Sequence, residues 1–188
     1  NGFKTKIYTQ RISKLANLDF NIMPVLDNME ELEAYENTII YDCDLGIRIA
    51  SEEQPEFQLY TSRLGIRYKE IKDFYLNKIK PNPKFKLKML HFFINSGIKD
   101  NIYYWNELSK LLKVYVELKR VCPELDSLNI GGGWPFRSSL GFEYDYAYMA
   151  EEILNKIKQT CEEENVSCPN IFTEFGSFTV AESGAFIF

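Results

Sequence analysis

The sequence predicts an α/β domain built on a parallel sheet, and three observations carry that prediction. Five short apolar runs, Ile22–Leu26, Leu45–Ala50, Leu87–Ile94, Leu128–Ile130 and Ile171–Thr173, alternate with longer amphipathic stretches. The runs are apolar on both faces, as strands covered by helices are. The polar and glycine signals fall where runs end: Arg48, Asn95-Ser96-Gly97, Gly131-Gly132-Gly133 and Glu174-Phe175-Gly176-Ser177. In a β/α barrel all such ends converge on one face, the face that carries chemistry.

The elements follow in order. Ile7, Leu15 and Leu18 suggest an opening helix. Asp27 and Glu30 form a capping-box pattern, followed by a helix with Met29, Leu32 and Tyr35 on one face. Ser51–Thr61 carries Glu52, Glu53, Pro55 and Glu56 without a period, and reads as a loop leading to Arg63-Leu64-Gly65. Lys84, Lys86 and Lys88 alternate before an apolar stretch and read as the solvated start of a strand. Tyr104, Leu108, Leu111, Leu112 and Tyr115 keep helical spacing, with Asp100 as N-cap. Met149, Ile153, Ile157 and Cys161 do the same, and Pro169 opens the last strand.

The totals narrow the function. A chain of 188 residues with 45% hydrophobic and 26% charged residues is one globular domain. A net charge of −5 argues against a general nucleic-acid surface. The four cysteines, Cys43, Cys122, Cys161 and Cys168, form no CxxC pair, and His91 is the single histidine, so a structural zinc site is not expected. Reduced thiols in a cytoplasmic protein fit better than a disulfide framework. There is no signal peptide pattern and no apolar run long enough to span a membrane. Asn1-Gly2-Phe3 lacks an initiator Met, and the chain stops inside the apolar run Ala185-Phe186-Ile187-Phe188. Both ends suggest part of a longer polypeptide.

The glycine triplet is the most informative signal. It follows Leu128-Asn129-Ile130 and precedes Trp134-Pro135. Glycines at a strand end let backbone N–H groups approach an anion with no Cβ in the way. That geometry suits a phosphate-bearing cofactor.

These segments resemble, in order and spacing over essentially the whole chain, the barrel domain of the pyridoxal-phosphate-dependent decarboxylases of the alanine-racemase fold. That family includes the ornithine, diaminopimelate and biosynthetic arginine decarboxylases. Leu128–Pro135 resembles its LDIGGGFP strand end, and Leu90–Ser96 its LHFHLGS segment. Glu174-Phe175-Gly176-Ser177 resembles its cofactor motif E-P/S-G-R, and Asn1–Lys4 its CNGYK loop. Asp44–Ala50 followed by Arg63-Leu64-Gly65 resembles its RI-x(n)-KFG segment. The resemblance is closest to the arginine branch. It implies an incomplete (β/α)8 TIM barrel, roughly strands 4–8 plus the end of strand 3, spanning residues 1–188.

The resemblance also assigns roles. Gly131, Gly132, Gly133 and Ser96 would hold the phosphate of pyridoxal 5′-phosphate. Glu174 would pair with its pyridine nitrogen, Phe93 would stack on its ring, and Arg48 would line the pocket wall or form an ordinary salt bridge. The chain departs from the pattern at several places. Phe93 stands where the family has a histidine, Ser177 where it has an arginine, and Asn129 where it has an aspartate. His91 lies two positions before Phe93, a spacing that returns to the same strand face; it reads as an approach to the site or, by preference, as a buried core histidine. No lysine here matches the Schiff-base position, and none of the cysteines matches the catalytic thiol, so no catalytic residue is assigned. The resemblance implies a basic amino-acid substrate, arginine giving agmatine for polyamine biosynthesis, with ornithine or diaminopimelate as alternatives. It implies a homodimer of the full-length protein, with neither nucleic acid nor membrane as partner. Two other readings stay open: a non-catalytic regulatory relative, which Phe93 and Ser177 favour, and an α/β domain for another phosphorylated metabolite.

Overall fold

Each strand lies beside its sequence neighbour in one parallel sheet, so every connection must cross over the sheet. The computed structural model describes residues 2–51, 64–94, 101–136 and 141–184. The order is α1 (Lys6–Ala16), β1 (Val25–Leu26), α2 (Glu31–Glu36), β2 (Cys43–Arg48) and α3 (Tyr68–Phe74). Then come β3 (Phe85–His91), α4 (Asn101–Lys119), β4 (Ser127–Asn129), α5 (Tyr146–Glu163), β5 (Asn170–Phe172) and α6 (Gly176–Val180). The five strands correspond to the five apolar runs, each somewhat displaced from its predicted bounds. The motif residues therefore sit at or just past the strand ends.

Register decides which residues share a face. Ile47 pairs with Leu90, Leu90 with Leu128, and Leu128 with Ile171. The first three are fully buried, and they are backed by the helices. One position on, Arg48 pairs with His91, His91 with Asn129, and Asn129 with Phe172. Side chains alternate along a strand. This second row thus faces away from the helices, at the carboxyl end of the sheet, where the loops begin.

The helix-facing core follows the predicted spacing. Tyr104, Leu108, Leu111, Leu112 and Tyr115 of α4 are buried, as are Met149, Ile153, Ile157 and Cys161 of α5. Asp145 caps α5, its carboxylate accepting from the Tyr148 N–H at 2.9 Å. Asp100, the expected cap of α4, lies outside the described residues, as do 52–63 and 95–100 in general.

Three local expectations are corrected, and one further helix is found. In α1 the helix forms but its face is reversed: Thr9, Ser13 and Ala16 point inward, while Ile7, Leu15 and the following Leu18 are exposed. Hydroxyl contacts explain this, since Ser13 Oγ meets Thr38 Oγ1 at 2.7 Å and Asn17 Nδ2 donates to the Thr38 carbonyl at 3.0 Å. The cap of α2 lies one residue later than the Asp27/Glu30 pattern. Asn28 Oδ1 accepts from the Glu31 N–H at 3.0 Å, and Glu31 Oε2 accepts from the Asp27 N–H at 2.9 Å. Met29 accordingly lies outside the helix and is exposed. One helix is absent from the sequence reading: α3 continues into a π-helical turn, Tyr75–Ile79, burying Ile71, Phe74, Tyr75 and Ile79. Its signal is the helical spacing of those four apolar residues before Pro81. Lys84 is not simply solvated, because its ammonium donates to the carbonyls of Glu36 at 2.7 Å and Ile39 at 3.0 Å.

Leu128 sits at the centre of this core. Leu128→Ala should lower the unfolding free energy by about 2–5 kcal/mol, read from urea denaturation at constant m-value.

Candidate cofactor site

The site is built where β4 and β5 end side by side. After Asn129 the chain turns sharply: Gly131 has φ +69° and Gly133 has φ +91°, conformations that L side chains rarely adopt. A Cβ on Gly131 would stand 2.6 Å from the Phe92 carbonyl oxygen, and one on Gly132 would collide with the carbonyl oxygen of Glu174. The Glu174 N–H donates to the Gly131 carbonyl at 2.8 Å. The bend and the residue after β5 are thus in backbone contact.

Side chains tie the same two segments together. Asn129 Oδ1 accepts from the Gly131 N–H at 2.9 Å, and Asn129 Nδ2 donates to Glu174 Oε1 at 2.9 Å. His91, fully buried on β3, brings Nε2 to 3.7 Å from the same carboxylate oxygen. Burial, and then the Arg48 guanidinium, push the imidazole down to about 3. His91 is therefore neutral near pH 7, and this contact is not an ion pair. Glu174 itself is 40% exposed at its side chain.

Arg48 forms the salt bridge the sequence allowed and also reaches a ring. NH1 lies 3.4 Å from Asp27 Oδ1 in a buried pair, and the guanidinium carbon lies 5.6 Å from the Phe93 ring centroid. Its Nε is buried without a hydrogen-bond partner among the described residues. The Phe93 ring in turn lies 3.6 Å from where a Gly131 Cβ would be. Ser51 Oγ donates to the Phe93 carbonyl at 3.1 Å and steadies that loop.

Aromatic packing fixes the far side of the bend. Trp134 stacks on Tyr146 with centroids 5.7 Å apart, and lies 4.7 Å from the ring of Phe175, the residue after Glu174. Tyr146 also donates its hydroxyl to the Pro135 carbonyl at 2.8 Å.

The structure therefore brings together Gly131, Gly132, Glu174, Phe93 and Arg48. Ser177 lies in the first turn of α6, exposed, three residues beyond Glu174. Ser96 lies outside the described residues. His91 is fully buried, as the preferred sequence reading had it, and also lies against Glu174, as its alternative allowed; Asn129 and Asp27 were not read from the sequence as parts of the assembly. Nothing short of the strand register shows that Asn129 faces Glu174. Among the described residues no group of three or more His, Cys, Asp or Glu side chains is placed to hold a metal ion, and no helix is long and apolar enough to cross a membrane.

A carboxylate, a glycine bend, an aromatic ring and an arginine thus meet at the carboxyl rim of a parallel α/β sheet. Residues 5–181 match the family model described as pyridoxal-dependent decarboxylase, pyridoxal binding domain, and the chain belongs to that family. It is 28% identical over 204 residues to the biosynthetic arginine decarboxylase of Citrifermentans bemidjiense, an overlap covering 96% of this chain and 31% of that protein. Its match to the same-named protein of Pelobacter propionicus is 35% identical over 108 residues, 50% of this chain and 16% of that one. Among solved structures, the biosynthetic arginine decarboxylase of Campylobacter jejuni superposes with a TM-score of 0.75 at 24% identity, over 95% of this chain and 31% of that one. Diaminopimelate decarboxylase from Helicobacter pylori, complexed with L-lysine, gives 0.76 at 23% identity, over 96% and 45%. The sheet is thus part of a β/α barrel, and the chain spans about a third of the length of these arginine decarboxylases.

Two measurements check the geometry. Gly132→Ala should cost about 1–3 kcal/mol, because the Glu174 carbonyl must move. Gly141→Ala, which meets nothing within 4 Å, should stay within about 0.5 kcal/mol of the parent. Because His91 is the single histidine, its imidazole resonance can be followed by NMR without assignment. It should show no inflection between about pH 5 and 8. The sign for stability follows. An imidazole neutral when folded contributes stability that is full above its unfolded value and is lost as pH falls below about 6.5 toward its folded value.

Proposed function

We propose that this chain is the cofactor-holding part of a pyridoxal-phosphate-dependent decarboxylase of a basic amino acid, arginine first. One observation carries this reading: the Glu174 carboxylate and the glycine bend meet at one rim, joined through Asn129. The bound cofactor would supply an electron sink for the carbanion left when CO₂ departs.

The chain's own residues do the rest. Gly132 and Gly133 present the bend to the cofactor phosphate, while Gly131 shapes it, its own N–H being held by Asn129. Phe93 offers a ring face, backed by the Arg48 guanidinium. Glu174 holds a proton on the pyridine nitrogen, which a carboxylate does and an arginine does not. Ser177 and Ser96 add hydroxyl donors without adding charge. The arginine preference is supported by the names of the relatives above, with ornithine and diaminopimelate as the alternatives. We place the protein in the cytoplasm as a homodimer. Four free thiols, three of them buried, agree with a reducing compartment.

The chain alone is expected to be inactive, since no lysine or cysteine in it matches the Schiff-base or thiol position. The test is therefore to add pyridoxal phosphate to the full-length protein, dialyse, and assay ¹⁴CO₂ release. Retained absorbance near the visible edge, with faster release from arginine than from ornithine, lysine or diaminopimelate, is the expected result. Glu174→Gln should lower turnover by about 100-fold or more. A second reading, a non-catalytic relative that acts by protein contact, is supported by Phe93 and Ser177. Loss of all cofactor on dialysis, with no CO₂ from any of these substrates, would favour it.

A further inference from the structure

Lys4, Glu31, Asp27 and Arg48 form a row of buried charged side chains that runs from the entry of α1 to the end of β2. Burying charge is unfavourable unless each group meets an opposite one. The Lys4 ammonium donates to Glu31 Oε2 at 2.8 Å and to the Gly2 carbonyl at 3.1 Å. The Lys4 N–H also reaches Glu31 Oε1, at 3.4 Å. These partners all lie outside the pocket, yet the row leads into it.

Asp27 joins the two pairs through its backbone. Its N–H donates to Glu31 Oε2 at 2.9 Å, and its carbonyl accepts from the Gly65 N–H at 2.9 Å. With the main chain gripped on both sides of its Cα, the Asp27 carboxylate is aimed at Arg48, whose NH1 lies 3.4 Å from Oδ1. The guanidinium so placed lies 5.6 Å from the centroid of the Phe93 ring, a distance at which a cation attracts an aromatic face. Each link is a contact between neighbours, and the last one sets a ring at the rim.

Removing the Lys4 charge would leave the Glu31 carboxylate buried with only the N–H groups of Lys4 and Asp27. A carboxylate stranded in this way gains by turning toward water. Turning breaks its bond to the Asp27 N–H and frees the carboxylate that holds Arg48.

We propose that Lys4 is a positioning residue: its pair with Glu31 holds, through Asp27 and Arg48, the Phe93 ring in the place where it meets the cofactor. The last step rests on the cofactor reading of Phe93 given above. The contacts from Lys4 to Phe93 are made without a ligand, so the two can be tested apart.

The experiment uses the full-length protein with para-fluorophenylalanine in place of Phe93 and reads its ¹⁹F resonance without cofactor. Arg48→Gln, which takes the cation from the ring, should move the resonance and sets the reference direction. Lys4→Met should move it the same way. The double variant Lys4→Met/Glu31→Gln should return it toward the parent, because a neutral amide needs no cation while its carbonyl still accepts from the Asp27 N–H. If Lys4→Met does not fold, Lys4→Gln, whose amide can still donate to Glu31, replaces it with the same expected outcomes. A resonance unmoved by Arg48→Gln or by the Lys4 variant, or not restored in the double variant, would overturn the proposal and leave the pair a tether between α1 and α2.

In a second arm pyridoxal phosphate is titrated. The Lys4 variant should bind about fivefold or more weakly than the parent, and the same change made on Phe93→Ala should alter affinity by less than about twofold. Equal affinity of parent and Lys4 variant, or an equal loss with and without the Phe93 ring, would also overturn the proposal. If the parent does not bind, the cofactor reading fails, and the ¹⁹F series decides the link from Lys4 to Phe93 alone.

Discussion

The carbonyl of Glu174 fills the space in which a side chain at Gly132 would stand. That close approach is the constraint on which the rest of the site depends. It is possible only because β4 and β5 are parallel neighbours in register, so that both chains leave the sheet at the same level. Once they do, the Glu174 N–H reaches the Gly131 carbonyl and Asn129 reaches both segments. Trp134 and Phe175 then pack against each other and close the far side. Glycine at the bend follows from this crowding. Glu174 is held at the bend by its backbone N–H, and its carboxylate by the Asn129 amide.

The second layer is electrostatic. The same end of the sheet buries Arg48 with Asp27, and Lys4 with Glu31 at 2.8 Å. Neither charge in such a pair can be removed alone without stranding the other, so these pairs specify geometry more than they add stability. Glu31 also accepts from the Asp27 N–H, which links the two pairs. Arg48 is thereby fixed beneath Phe93, and its field helps to keep His91 uncharged. The imidazole beside Glu174 is thus neutral near pH 7.

The sequence displayed the sheet and much of the rim because both are written in local pattern. Apolar runs mark strands, helical spacing marks α4 and α5, and a triple glycine marks a bend. What it hid depends on contacts between distant segments. The inward face of α1 is polar because Thr38, far along the chain, offers hydroxyl and carbonyl partners. The helix α3 is hard to see although Ile71, Phe74, Tyr75 and Ile79 are spaced for one face, because flanking lysines and a missing cap blur it. His91 read as core, and it is fully buried, yet register also sets it against Glu174. Asn129 read as a departure from the family pattern, and only the pairing of β3, β4 and β5 shows it as a joint.

The most direct measurement is a crystal structure of the protein grown with pyridoxal phosphate. The account requires a Glu174 carboxylate oxygen within about 2.6–3.2 Å of the pyridine nitrogen and the phosphate seated on the Gly132–Gly133 backbone. A cofactor bound with its phosphate away from that bend, or with its nitrogen facing anything other than Glu174, would contradict it.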